Sequence, residues 1–121
     1  EQKMRWILQL EDERQLRGHG GDLLELLNDA EPRVRRRAAL AVGRVRLADG
    51  IPGLTSLLQS DSDAEVRQMA AFAMGLVGDA SAAPALMTAL TDPDALIQGR
   101  AAEALGLIAH KPAAQPIARQ S

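Results

Sequence analysis

One ten-residue phrase recurs three times in this chain, and that recurrence limits the fold more than any other feature. It reads Val34-Arg35-Arg36-Arg37-Ala38-Ala39-Leu40-Ala41-Val42-Gly43 at its first appearance. It returns as Val66-Arg67-Gln68-Met69-Ala70-Ala71-Phe72-Ala73-Met74-Gly75 and as Ile97-Gln98-Gly99-Arg100-Ala101-Ala102-Glu103-Ala104-Leu105-Gly106. The starts at positions 34, 66 and 97 lie 32 and then 31 residues apart. A fixed period of this size signals stacked supersecondary units, none able to bury its apolar face alone. Such stacks present surface and usually perform no chemistry. The repeat therefore says much about architecture and little about the molecule served.

Composition agrees with an all-helical stack. A chain of 121 residues accommodates one domain, with room for roughly three to four helical repeats. Trp6 and Phe72 are its only aromatic residues, whereas a sandwich or barrel would use many more aromatic and β-branched side chains. Alanine and leucine dominate, as closely packed short helices require. The formal net charge of −2 argues against a general nucleic-acid or anionic-membrane binder. No cysteine is present, which excludes disulfides, thiolate catalysis and cysteine-type zinc sites. No apolar run approaches the roughly 18 residues of a membrane span. The chain opens on Glu1 rather than Met, the expectation for a piece of a longer protein whose targeting segment lies elsewhere. Its compartment, cytoplasmic or exported, stays open.

Each unit reads as two helices joined by a turn. In the second unit a first helix is predicted from Ile51 to Gln59, with Ile51, Leu54, Leu57 and Leu58 on one face. Pro52 falls in its first turn, where a missing N–H is harmless. Ser60, Asp61, Ser62 and Asp63 break the pattern and offer N-cap oxygens. The second helix is predicted from Ala64 to Val77, carries Val66, Met69, Ala70, Ala73, Met74 and Val77, and stops at Gly78-Asp79. The third unit repeats the plan with Pro84, Leu86 and Leu90, then Asp92-Pro93-Asp94, then a helix from Ile97 to Ile108. The first has Leu23, Leu24, Leu26 and Leu27, then Asp29 to Pro32, then Val34 to Val45. The paired alanines at 38–39, 70–71 and 101–102 allow close helix approach. Gly43, Gly75 and Gly106 recur late in their helices, where glycine costs about 1 kcal/mol relative to alanine. Close contact with the neighbouring helix is the expected reason.

The ends depart from the repeat. Residues 1–17, with Trp6, Ile7, Leu8 and Leu10, are expected to form a capping helix anchored by Trp6. The units then divide at about 18–46, 47–78 and 79–110. Pro112-Ala113-Ala114-Gln115-Pro116-Ile117 resembles Ala80-Ser81-Ala82-Ala83-Pro84-Ala85, so 111–121 reads as the truncated start of a fourth unit. A stack needs polar covers at its ends, and a cut face or an apolar strip offers a route to self-association.

The pattern Asp-x-x-x-x-Val-Arg-x-x-Ala-Ala-x-Ala-Leu-Gly resembles the HEAT repeat in its short bacterial form, also called PBS-lyase-like. Asp29 to Gly43 and Asp61 to Gly75 follow it closely, while Asp92 to Gly106 departs at Ile97-Gln98. The resemblance covers about residues 20 to 110 and implies a right-handed all-α solenoid, an α-α superhelix of HEAT-like pairs. It carries almost no information on activity, since such repeats occur in scaffolds, lyase subunits and enzyme appendages. The opening Ile7-Leu8-Gln9-Leu10-Glu11-Asp12-Glu13-Arg14 is similar to the start of repeat regions in some bacterial proteins described as prolyl isomerases.

The same resemblance implies a concave face lined by the second helices, where a partner protein or peptide would bind. Its outward positions are Arg36, Arg37, Leu40 and Arg44 in the first unit. In the second they are Gln68, Met69, Phe72 and Leu76, and in the third Gly99, Arg100, Glu103 and Leu107. Residues at these spacings share one helix face. Met69, Phe72 and Leu76 form either an exposed apolar strip, which marks interaction surface and suits an amphipathic helix or apolar peptide, or packing between helices. Arg33, Arg35, Arg36, Arg37, Arg44 and Arg46 make the first unit basic. They read either as a solvated face partly paired with Asp29, Glu31 and neighbours, or as a site for an acidic peptide or phosphate. Arg35 and Arg67 hold a repeat position and are expected to bond aspartates or carbonyls of the inter-helix turns.

Catalytic constellations are not apparent. His19 and His110 stand at opposite ends of the array. Gly18-His19-Gly20-Gly21 lacks the lysine and spacing of a phosphate loop. No His-x-x-x-His or aspartate-rich calcium loop appears, so neither metal nor cofactor is expected. Glu11, Asp12 and Glu13 adjoin one another and do not share a helix face. The expectation is a non-catalytic interaction or scaffold module. The rivals are an accessory region of a larger enzyme of prolyl isomerase or bilin-lyase type, and weak nucleic-acid or acidic-ligand binding through the basic first unit.

Overall fold

The computed structural model describes Lys3 and residues 21–110. The expected capping helix with Trp6, the Gly-rich stretch around His19 and the start of a fourth unit all lie outside these residues, Lys3 excepted. Six α-helices follow one another in three pairs: α1 (Gly21–Leu26) with α2 (Pro32–Arg44), α3 (Ile51–Ser60) with α4 (Ala64–Val77), and α5 (Ala83–Ala89) with α6 (Ala95–Ala109). Short 3-10 turns at Ala48–Gly50 and Ala80–Ala82 lead into α3 and α5. The sequence pattern did not resolve these turns; at the second, the Asp79 carboxylate accepts the Ser81 N–H at 2.8 Å.

Local chemistry sets each helix boundary. Asp29, Asp61 and Asp92 hold the same place in their units, and each carboxylate accepts the N–H two residues on, at 3.0, 2.9 and 2.8 Å. This folds the turn before the second helix. Asp63 then caps α4 by accepting from Glu65 and Val66, and Asp94 caps α6 by accepting from Leu96. Glu31 stands at that place in the first unit and makes no side-chain cap; Pro32, fixed in φ, begins α2 instead. Gly78 ends α4 in the left-handed region at φ 74°. Arg46, 32 residues earlier, takes the same region at φ 54° without being glycine.

The core runs unbroken from Leu23 to Ala104. Each second helix lays Val34, Val66 or Ile97 and an alanine row against its own first helix and the flanking second helices. The recurring glycines explain how closely the second helices approach. A Cβ on Gly43 would stand 2.9 Å from Ala73 Cα, and one on Gly75 would stand 2.8 Å from Ala104 Cα. Gly106 meets nothing within 4 Å, because no described element lies beyond α6. The last pair shows the same open edge elsewhere. Ala39 and Ala71 are fully buried while Ala102 is exposed, and Leu58 is 4% exposed where its counterpart Leu90 is 40% exposed.

Candidate functional site

Two sets of arginines part company in the structure. Arg35 and Arg67 belong to the turns: Arg35 Nη1 donates to the Asp29 carbonyl at 2.8 Å, and Arg67 Nη1 donates to the Asp61 carbonyl at 2.7 Å. Gln98 takes the place in the third unit and donates to the Asp92 carbonyl, so the departure from Val-Arg leaves this bond intact. Arg35 also forks onto Asp61 of the next unit, Nε to Oδ2 at 2.7 Å and Nη2 to Oδ1 at 3.0 Å. Burial works to raise the Asp61 pKa, but the Arg35 fork and the Asp63 N–H outweigh it and hold the carboxyl below its ordinary range. The same bond raises the Arg35 pKa. At Asp29 the Glu31 N–H, then Lys3 with Nζ at 2.9 Å, lower the carboxyl pKa.

The outward set faces differently. On α4 the buried Val66, Ala70, Met74 and Val77 occupy one side, and Gln68, Met69, Phe72 and Leu76 are all half-buried on another. The apolar strip is therefore neither open surface nor core. Met69 packs on the core cluster. Leu76 leans back over Gly43, its Cδ1 3.1 Å from where a Cβ would sit there. Phe72 carries the Arg100 guanidinium over its ring, 4.9 Å from the centroid, a cation–π contact. Arg100 also pairs with Glu103 at 3.1 Å. Arg36 of α2 reaches across to Glu65 at the start of α4. Leu40 and Arg37 are half-buried, and Arg44, Gly99, Glu103 and Leu107 are exposed. Leu107 repeats the Leu76 posture over Gly75 at 3.3 Å.

Sequence reasoning passed over Glu65. Its position one residue before Val66, seven before Phe72, was the available signal. Where a solvated arginine face was expected to pair with Asp29 and Glu31, Arg35 and Arg36 instead reach Asp61 and Glu65 of the following unit. Glu31, Pro32, Arg33, Arg36, Asp63, Glu65 and Val66 line a cavity of about 400 Å³ between the starts of α2 and α4. Among the described residues no three or more His, Cys, Asp or Glu side chains cluster to hold a metal ion. No helix among them is long and apolar enough to cross a membrane. His110 ends α6, with its Nδ1 2.9 Å from the Gly106 carbonyl.

Three stacked helix pairs with a shared turn motif and a repeated glycine seam define the architecture, and the family described as HEAT repeats matches residues 21–74 and 51–120. The chain belongs to the HEAT-repeat family. Among solved structures, this HEAT array resembles human deoxyhypusine hydroxylase in complex with glycerol, with a TM-score of 0.70 and 22% identity over 74% of this chain. The chain spans 31% of that protein's length, and a likeness at this identity concerns fold alone. No match to a curated protein was found.

Proposed function

We propose that this HEAT array is a non-catalytic docking module that binds a protein partner along the outward face of its second helices. One observation carries the reading: Phe72, the larger apolar side chain of that face and the only aromatic residue in the repeats, is half-buried beneath a charged guanidinium. An aromatic ring in such a setting suits an interface anchor. Leu107, exposed one unit on, extends the apolar surface. Met69 and Leu76 contribute through their edges while holding the seam. The array would serve as one part of a larger protein, whose activity, catalytic or not, resides outside this stack.

The test compares proteins captured from a lysate of the source by the parent chain and by Phe72→Ser, with helicity matched by circular dichroism. A protein retained by the parent and lost by the variant supports the reading. Identical bound sets would remove it. Mass measured over a concentration series separates a foreign partner from self-association.

A further inference from the structure

Two guanidiniums from different helices converge on α4, and their spacing specifies a partner. Arg36 comes from α2 and meets Glu65; Arg100 comes from α6 and lies over Phe72. Glu65 and Phe72 are seven residues apart on one helix, two turns, or roughly 10 Å along its axis. Met69 and Leu76 share this flank and leave apolar edges beside the charges. Both arginines are bonded to exposed acids, Arg36 to Glu65 and Arg100 to Glu103, with acid side chains 70% and 56% exposed. Surface pairs of this kind contribute little, on the order of 0–1 kcal/mol, so an incoming carboxylate exchanges with them readily.

We infer that α4 is the docking line for an acidic amphipathic helix of another protein, bearing two carboxylates two turns apart and an apolar stripe between them. The carboxylates meet Arg36 and Arg100, and the stripe covers Met69 and Phe72. A helix presents residues i and i+7 on the same face at this separation, with i+3 and i+4 between them. The inference rests on the docking face proposed above and adds the charge and periodicity of the occupant.

The probe is a fluorescently labelled synthetic helix of about 15 residues, with glutamates at i and i+7 and leucines at i+3 and i+4. A second peptide carries lysines in place of the glutamates. Anisotropy titrations against the full chain are expected to show binding of the glutamate peptide and at least about tenfold weaker binding of the lysine peptide. Arg36→Glu with Arg100→Glu, both on exposed groups, is expected to reverse that preference. Recovery by the lysine peptide shows that the variant is folded. Equal affinity of the parent for both peptides overturns the inference and leaves the docking face standing, provided Phe72→Ser weakens both. Binding that Phe72→Ser does not change overturns the docking face itself. Absence of binding by either peptide overturns the inference.

Discussion

At Gly43 a hydrogen stands where a methyl would press within 2.9 Å of the Ala73 backbone. Two substitutions of the same kind should therefore move stability in opposite directions. Gly43→Ala forces two second helices apart and is expected to cost about 1–3 kcal/mol, despite alanine's better helix propensity. Gly99→Ala meets nothing within 4 Å and is expected to gain up to about 1 kcal/mol. Thermal melts of the two variants against the parent check both signs. Arg46 offers a third case. It sits at φ 54° where the next unit has Gly78, and the left-handed region costs a residue with a Cβ roughly 1–2 kcal/mol. Arg46→Gly should raise the melting temperature. The glycine column was legible as a packing device because it recurred in phase. The strain at Arg46 was not, since its side chain reads as one more member of a basic run and only the backbone reveals the glycine role.

Helix by helix, the turn aspartates and their arginines decide where elements start and how pairs join. Asp63→Ala removes two accepted N–H bonds at the start of α4 and is expected to cost about 1 kcal/mol. Glu31, which makes no side-chain cap, should tolerate alanine by comparison. Arg35 ties its own turn to the following one, so Arg35→Met should cost about 1–3 kcal/mol by stranding Asp61. The Asp61 pKa is lowered in the folded protein. Its contribution is thus fully present above the unfolded carboxylate value of about 3.9 and is lost as pH falls through the lower folded value. Urea midpoints between pH 7 and pH 2 should fall more for the parent than for Asp61→Asn. Helix limits followed from the sequence because alternating signals at Pro32, Pro52, Pro84, Asp63 and Gly78 are local. Which flank each side chain of α4 takes was not local. It depends on Gly43 admitting Leu76 and on Arg100 arriving from α6, contacts made across units.

Across the whole array, burial is unequal. α4 is flanked by second helices on both sides, while α6 has a described neighbour on one side only. Stability in a stack is nearly a sum of unit and seam contributions, so amide exchange should be slowest in α4 and faster in α6. Uniform protection across the two would count against independent seams. The repeat made the helical stack legible from sequence alone. The site was less so, because an apolar residue on a second helix can face outward or seal a seam, and Met69 and Leu76 do part of each.

The glycine seam also makes chain length negotiable. Gly43 receives Ala73 and Gly75 receives Ala104 in nearly the same geometry, and Arg46 and Gly78 leave their helices through the same backbone region. A second copy of residues 47–78 inserted after Gly78 would offer Gly75 another Ala73, and the added Gly75 would meet Ala104. The protein is thus written in a grammar that accepts whole clauses and rejects stray letters. Growth by 32 residues preserves every contact rule, whereas growth by one methyl at Gly43 breaks one.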